Sequence, residues 1–313
     1  MEFFIVSLLN GSIYGLLLFM VSAGLTLIFG MMGVLNFAHT SFYMIGAYLA
    51  YTLQKSVGFW PAIIISPILV GLIGAFVERY MLRRVHRYGH GHQLLLTFGI
   101  SFIATEAIKL FYGNYPVDYR VPAELNFSAF SIFGTDYPFY RLLIGGVSLL
   151  MFGLVYLLLT KTRVGIVVRS AIYKPRMVEA LGHNVPMVFM GVFGVGAGLA
   201  GRAGAVAGAF YTTNPNMALE LGVLVFVVVV VGGLGSLGGA MLSSLIIGLV
   251  SSFSVGIDWS LADLLGLFGA GDWAREAGGL LTLKVSSLSA TIPFLLMLLV
   301  LLVRPSGLMG NRE

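Results

Sequence analysis

The sequence has little charge and no cysteine. Of 313 residues, 58% are hydrophobic and 10% carry a formal charge, where an ordinary soluble domain has about 45–50% and about 25%. With 18 basic and 13 acidic side chains, the chain cannot clothe an apolar core in water. A mean hydropathy of +0.96 points the same way, so the expected class is a polytopic integral membrane protein. Zero cysteines exclude a disulfide scaffold, an iron–sulfur cluster and thiolate zinc sites. The patterns G-x-x-x-x-G-K-[S/T], H-E-x-x-H and G-x-S-x-G are also missing. The chain therefore cannot itself cradle a nucleotide phosphate in a P-loop, and it carries neither the zinc-protease pair nor the nucleophile elbow.

What is present is a series of long apolar runs. A helix crossing the hydrocarbon needs about 20 apolar residues. Candidate spans fall at 5–30, 36–54, 60–81, 93–112, 142–160, 187–211, 219–231, 237–257 and 285–303. Backbone groups in lipid must bond within their own segment, and these runs are too long and uniformly apolar for barrel strands. The expected fold is an all-α bundle of about 8–10 transmembrane helices with broken or re-entrant segments. The N-terminus does not read as a cleavable signal, because Glu2 replaces a basic region and the first apolar run is too long.

Charge placement orients the spans. Arg79, Arg83, Arg84 and Arg87 fall in 78–92, and Lys161, Arg163, Arg169, Lys174 and Arg176 in 161–185, together half of all basic residues. The loops 113–139 and 258–284 lean acidic, with Asp118, Glu124 and Asp136 in the first and Asp258, Asp263, Asp272 and Glu276 in the second. Basic short loops mark the cytoplasm, which places the N-terminus outside and the C-terminus, with Arg304 and Arg312, inside. The net charge of +5 is then a property of topology, and no nucleic-acid partner is expected. The apolar patch Leu261 to Ala270 reads as an outer amphipathic or re-entrant segment.

Two segments interrupt the spans. One, Gly30 to Thr40, puts Asn36, Phe37, His39 and Thr40 at or near membrane depth. The other, Gly232 to Gly239, includes Gly235 and Ser236 between two spans. Irregular backbone at depth is tolerated only inside protein or along a water-filled cavity. Both are candidates for a pathway or gate, and a plain helical hairpin turn is the other reading of 232–239. Much of the glycine, 41 residues in all, lies within spans, and the spacings 194/198 and 204/208 suit close helix crossings.

Ionisable groups within spans are few. Glu106 and Lys109, three apart, can pair on one helix face. Arg202 either snorkels, pairs with an acid or attracts an anionic substrate. Glu220 opens a span beside Asn214 and Asn216, where a carboxylate suits the positive helix end; Arg202, Asn214 and Glu220 join the candidates for the translocation pathway or gate. His86, His90 and His92 lie among arginines without a carboxylate or thiolate partner, so they read as solvated loop side chains and no metal site is expected.

The segment 163–186 carries the most specific pattern. Pro175 suits the first turn of a short helix and Gly182 its end. Met177, Ala180 and Leu181 then share one apolar face, flanked by Arg176 and Glu179. This segment resembles the cytoplasmic coupling region of permeases of the branched-chain amino-acid (LivH-type) ABC importer family. The match falls on Arg169, Pro175, Gly182 and Asn184; Ser170, Lys174, Val178 and His183 depart from the family pattern. An N-terminal pattern resembles the same family through Asn10, Gly11, Gly15, Gly24, Leu25, Phe29, Gly30, Asn36, Phe37, Ala38 and His39, with Thr40 where the family usually has glycine. A third match is Gly232, Gly233, Leu234, Gly235, Ser236, Gly238, Gly239 and Ala240.

The resemblance covers nearly the whole chain and implies one transmembrane permease domain over 1–313. It implies an importer of the bacterial inner membrane for branched-chain or other hydrophobic amino acids, or related small solutes. Implied partners are a second permease subunit (LivM-type or homologous), two cytoplasmic ABC ATPase subunits and a periplasmic solute-binding protein. ATP and magnesium would be bound by the ATPases, and this chain would be no enzyme and hold no cofactor. The coupling contact would use Arg169, Lys174, Pro175, Arg176, Met177, Glu179, Ala180, Leu181, Gly182 and Asn184. A self-sufficient channel or ion-coupled carrier for a small solute such as urea or a carboxylate is the alternative. It calls for carboxylates near the midplane, of which the sequence has few. A lipid-acting membrane enzyme would need a nucleophile and base or a metal set, and only the histidine loop offers a start.

Overall fold

The computed structural model describes residues 2–132 and 134–310; Arg312 lies outside them. Helix α1, Glu2–Met32, is about 46 Å long at 1.5 Å per residue and buried along most of its length. Around it run α2 (His39–Val57), α3 (Phe59–Val77) and α4 (His90–Tyr112). A hairpin, β1 (Ser128–Ile132) and β2 (Thr135–Pro138), precedes α5 (Phe139–Lys161). Two helices outside the spans follow, α6 (Arg163–Tyr173) and α7 (Pro175–Ala180). The chain returns through α8 (Val185–Ala207), α9 (Met217–Gly232) and α10 (Leu237–Val255). It ends with the short α11 (Leu261–Gly266) and α12 (Gly271–Ala277), then α13 (Ile292–Val303).

Among the described residues, six helices are long and apolar enough to cross a membrane unaided: α1, α3, α4, α5, α8 and α10. Helix α2 is more polar because it is enclosed by other helices; Thr40, Ser41, Tyr43 and Tyr48 are all buried. Helix α9 has 16 residues and α13 only 12. The final span is therefore shorter than the expected 285–303: residues 285–288 form a 3-10 turn, and Pro293 sits in the first turn of α13, where its missing N–H costs nothing. A second difference is the β-hairpin within 113–139, in an otherwise helical chain. Its antiparallel pairing joins Phe130 to Tyr137 and Ile132 to Thr135, and stacked rings hold it, Phe127 on Phe139 at 4.7 Å and Phe130 on Tyr137 at 5.3 Å.

The segment after α10 closes on itself at the acidic end of the bundle. Val285 N donates to Trp259 O and Ser286 N to Ile257 O, so α11 and α12 hang from a closed neck. Leu267, Phe268 and Trp273 are exposed there. Ser260 caps α11 in a box with Asp263. Bonds from Ser260, then from Arg275, hold the Asp263 carboxyl down to about 2. A depressed acid stabilises the loop above its usual 3.8, and that contribution is lost as pH falls through about 2.

Helix α8 is where the bundle is tightest. Gly24 of α1 meets Gly196, and Gly46 of α2 meets Gly201. Gly194 and Gly198 both face Gly71 of α3, while Gly204 and Gly208 face Tyr43 and Ala47 of α2. Both small-residue spacings read from the sequence are thus helix crossings. Hydroxyls add bonds between helices: Ser66 to Gly46 O at 3.0 Å, Ser243 to Val228 O at 2.7 Å and Tyr140 to Val206 O at 2.7 Å. Each contributes about 1 kcal/mol or less.

A Cβ on Gly204 would overlap the Tyr43 carbonyl oxygen, a backbone atom that cannot rotate away. Gly204→Leu is expected to cost about 3 kcal/mol or more and to abolish the monodisperse peak in detergent chromatography. Gly146→Leu on α5, where a Cβ meets nothing within 4 Å, is expected to elute and melt as the parent does.

Candidate functional site

The break after α1 forms a compact polar cluster. Residues 33–38 leave the helix at Gly33 (φ 63°) and turn back beside α1. His39 Nε2 lies 2.9 Å from Val21 O, which is 11 residues before Met32, or about 16 Å up α1. Helix α2 therefore begins inside the bundle rather than at its end. A carbonyl oxygen only accepts, so His39 carries its proton on Nε2. Asn36 Oδ1 accepts from Ala38 N at 3.0 Å, and Thr97 Oγ1 of α4 accepts from Phe37 N at 3.2 Å. These bonds replace those that a continuous helix would have made. Asn36, His39 and Thr40 are buried at 3%, 1% and 3% exposure. Asn36 Nδ2 and His39 Nδ1 have no partner among the described residues.

Helix α9 closes this cluster. Gly222, Val225 and Phe226 line a small gap, about 30 Å³, together with Asn36, His39 and Thr40. Phe37 stacks on Phe226 at 6.1 Å. Gly222 allows the approach: a Cβ there would meet Thr40 Oγ1 at 3.1 Å.

The glycine segment after α9 is a hairpin turn at the basic end. Gly233 (φ 101°) and Gly235 (φ 83°) adopt backbone that L side chains rarely enter, and Ser236 Oγ accepts from Gly239 N to start α10. The carbonyls left open at the end of α9 are met by the tail: Leu308 N donates to Val231 O at 2.9 Å and Met309 N to Gly232 O at 3.0 Å. Gly30 packs against Gly235, so the two broken segments touch.

Helices α6 and α7 also stand at the basic end. Thr162 caps α6 and Asn184 caps α8, and Gly182 at φ 87° reverses the chain between α7 and α8. Val178 turns inward onto Ala171 and Val185. Met177 and Leu181 point outward, 58% and 77% exposed, with Ala180 beside them. Lys174, Arg176 and Glu179 are exposed and form no ion pair among the described residues. Arg169 bonds locally to Gly165 O. The basic loop is fastened to the same end: buried Glu78 takes two bonds from Arg83, at 3.1 and 2.6 Å, and Arg83 also donates to Pro186 O.

With these elements in place, the comparison with known proteins is specific. A sequence profile described as "Branched-chain amino acid transport system / permease component" matches residues 7–301. The chain belongs to this permease family. It is 29% identical over 320 residues to the high-affinity branched-chain amino acid transport system permease protein BraD of Pseudomonas aeruginosa, covering 98% of this chain and 95% of that one. It is 26% identical over 330 residues to the corresponding LivH of Escherichia coli, covering 99% and 97%. A probable LivH of Methanocaldococcus jannaschii is 29% identical over 315 residues, covering 97% and 92%. The family is one of transport permeases, not enzymes, and the protein is a multi-pass membrane protein.

Within this permease the residues singled out from sequence fall into separate groups. Asn36, Phe37, His39 and Thr40 meet one another and α9. Gly232, Gly235 and Ser236 form the hairpin turn. Asn214 Oδ1 accepts from Asn216 N and shapes the entry to α9. Arg202 is partly buried in α8, with Nε unpartnered among the described residues and no ion pair. Lys109 and Glu106 pair at 2.8 Å, and His86 Nδ1 lies 3.0 Å from Gln93 Nε2.

Glu220, in the first turn of α9, lines a cavity of about 640 Å³ at the acidic end. The same cavity is lined by Arg141, a residue that the sequence reading passed over. Arg141 lies just past the acidic loop that was counted there, at the start of a span, and its position beside β2 depends on a hairpin that no periodicity announced.

His39→Ala would leave the Val21 carbonyl without this donor and open a void. It is expected to cost about 1–3 kcal/mol, read as a lower melting temperature of the purified protein. His39→Gln, which can still donate to Val21 O, is expected to recover part of that loss.

Proposed function

We propose that this chain is a transmembrane permease subunit of a binding-protein-dependent ABC importer. Its solutes are branched-chain or other hydrophobic amino acids, or related small solutes, crossing the bacterial inner membrane. Family membership over residues 7–301 supports a transport permease. The observation that carries the coupling to a motor is α7, a helix of six residues whose outward face presents Met177, Ala180 and Leu181 at the basic end. An exposed apolar face of that size beside lysine and arginine suits a groove on a partner protein.

In this reading the basic end faces the cytoplasm, so the N-terminus is periplasmic and the C-terminus cytoplasmic. Two ATPase subunits bind ATP and magnesium and receive the face of α7. A second permease subunit, LivM-type or homologous, completes the pathway, and a solute-binding protein docks at the acidic end. Val178 and Asn184 join α7 to α8, so displacement of α7 is delivered to the helix that packs on α1, α2 and α3. The pathway groups are Asn36, Phe37, His39 and Thr40 with Gly222 of α9, and the hairpin at Gly232, Gly235 and Ser236. Nucleotide and solute shift access only through different affinities for its two states.

The test is co-purification from detergent with the proteins encoded beside it, followed by ATP hydrolysis. A stable assembly with an ATPase, stimulated by solute-loaded binding protein, is the expected outcome. A chain that purifies alone and passes solute in liposomes without ATP would overturn it. Leu181→Glu and Met177→Glu, both on the exposed face, are expected to leave the amount of chain unchanged and to cut ATPase retention by about tenfold, as for loss of an apolar interface anchor.

A further inference from the structure

The acidic-end cavity is lined by an arginine and a glutamate, neither of which forms an ion pair among the described residues. Arg141 donates to Asn10 Oδ1, and its guanidinium lies 5.2 Å from the ring of Phe210 and 5.7 Å from that of Tyr137. These contacts hold the group in place without cancelling its charge, and Arg141 pairs with no carboxylate among the described residues. Glu220, one carboxylate on the first turn of α9, likewise pairs with no cation among them. Leu221, Leu224 and Phe294 supply an apolar wall to the same space. Its volume of about 640 Å³ lies within the range of small-molecule sites, about 300–1,000 Å³.

We propose that this cavity is a binding site for a free α-amino acid with an apolar side chain, with Arg141 reading the α-carboxylate and Glu220 the α-ammonium. The inference rests on the amino-acid reading above and deepens it to two residues. A guanidinium fork matches a carboxylate with two parallel hydrogen bonds, and a carboxylate lining the same cavity completes recognition of a zwitterion. Removing either charge from the ligand leaves one protein charge unmet, so amides, amines and simple carboxylates are disfavoured. Leu221 and Leu224 lie one and four residues beyond Glu220, which puts the apolar side chain beside α9. On another face of the same turns of α9, Gly222, Val225 and Phe226 line the gap with Asn36 and His39, so the same helix borders both the site and the buried break.

The chain has no cysteine, so Leu224→Cys provides a single labelling position. The full-length protein carrying it, in membranes with its partners, is treated with a membrane-impermeant maleimide. Leucine is expected to slow labelling, while isocaproate, which lacks the ammonium, and isoamylamine, which lacks the carboxylate, are not. Arg141→Gln or Glu220→Gln in that background is expected to weaken leucine protection by about tenfold, as for loss of one charged hydrogen-bonding partner. Should Arg141→Gln fail to accumulate, Glu220→Gln carries the test, because Glu220 is exposed and packs no core. Labelling that leucine does not slow, or protection that survives the substitutions, would overturn the site. ATP-dependent leucine uptake by the unsubstituted assembly is measured in parallel. Uptake without protection overturns the cavity alone. Protection without uptake overturns the importer reading and leaves the cavity in place.

Discussion

Helices in lipid gain nothing from burying apolar side chains against one another, because the surrounding tails are equally apolar. What remains is close approach, and this protein concentrates it on α8. Glycines of α8 let the backbones of α1, α2 and α3 come within contact distance. Hydroxyls of Ser66, Tyr140 and Tyr119 then reach carbonyls that side chains would otherwise screen. Close backbone contacts along α8 sit beside a core of large side chains such as Phe19, Tyr43 and Phe193, while Leu95, Phe111 and Leu154 of α4 and α5 face outward.

That tight centre makes the break after α1 possible. Six residues of irregular chain would be costly if exposed to lipid, since each unmet amide or carbonyl there costs several kcal/mol. Enclosed between α1, α4 and α9, the segment finds partners in Asn36, Thr97 and Val21. The cost is a start for α2 deep in the bundle and a small polar gap against Gly222. Asn36 and His39, whose Nδ2 and Nδ1 have no partner among the described residues, both line that gap, as expected where packing serves something other than stability.

The two ends of the bundle are built on different physics. At the basic end, ion pairing and caps fix the frame: Glu78 and Arg83 tie α3 to Pro186, and tail amides cover the end of α9. Helix α7 turns Met177 and Leu181 outward at this end. At the acidic end the chain is looser in topology and richer in aromatic contacts. The hairpin stack and Phe210 hold Arg141 over a cavity rather than over a partner carboxylate. Contiguous packing through α8 and α9 connects the two ends.

Much of this was open to reading from residues alone, where the signal is local. Hydropathy runs located α1, α4, α5 and α10 closely. Pro175 and Gly182 bounded α7, and the spacing of Met177, Ala180 and Leu181 marked its outward face. Those features depend on neighbours a few positions apart, and so does the broken pattern from Gly30 to Thr40. The hairpin at 128–138 was not legible, because two strands of five and four residues carry too little alternation to register. Nor was the shortness of α13, whose apolar run continues through a 3-10 turn. Arg141 and Glu220 are 79 positions apart, and only the packing of α5 and α9 around one cavity places them together. The sequence by itself determined that the chain spans a membrane, where its longest apolar helices run and which segments are basic, because length, apolarity and charge act locally. Only the tertiary structure decided which glycines touch, where α2 begins and which charges share a cavity, because those depend on contacts between segments far apart in the chain.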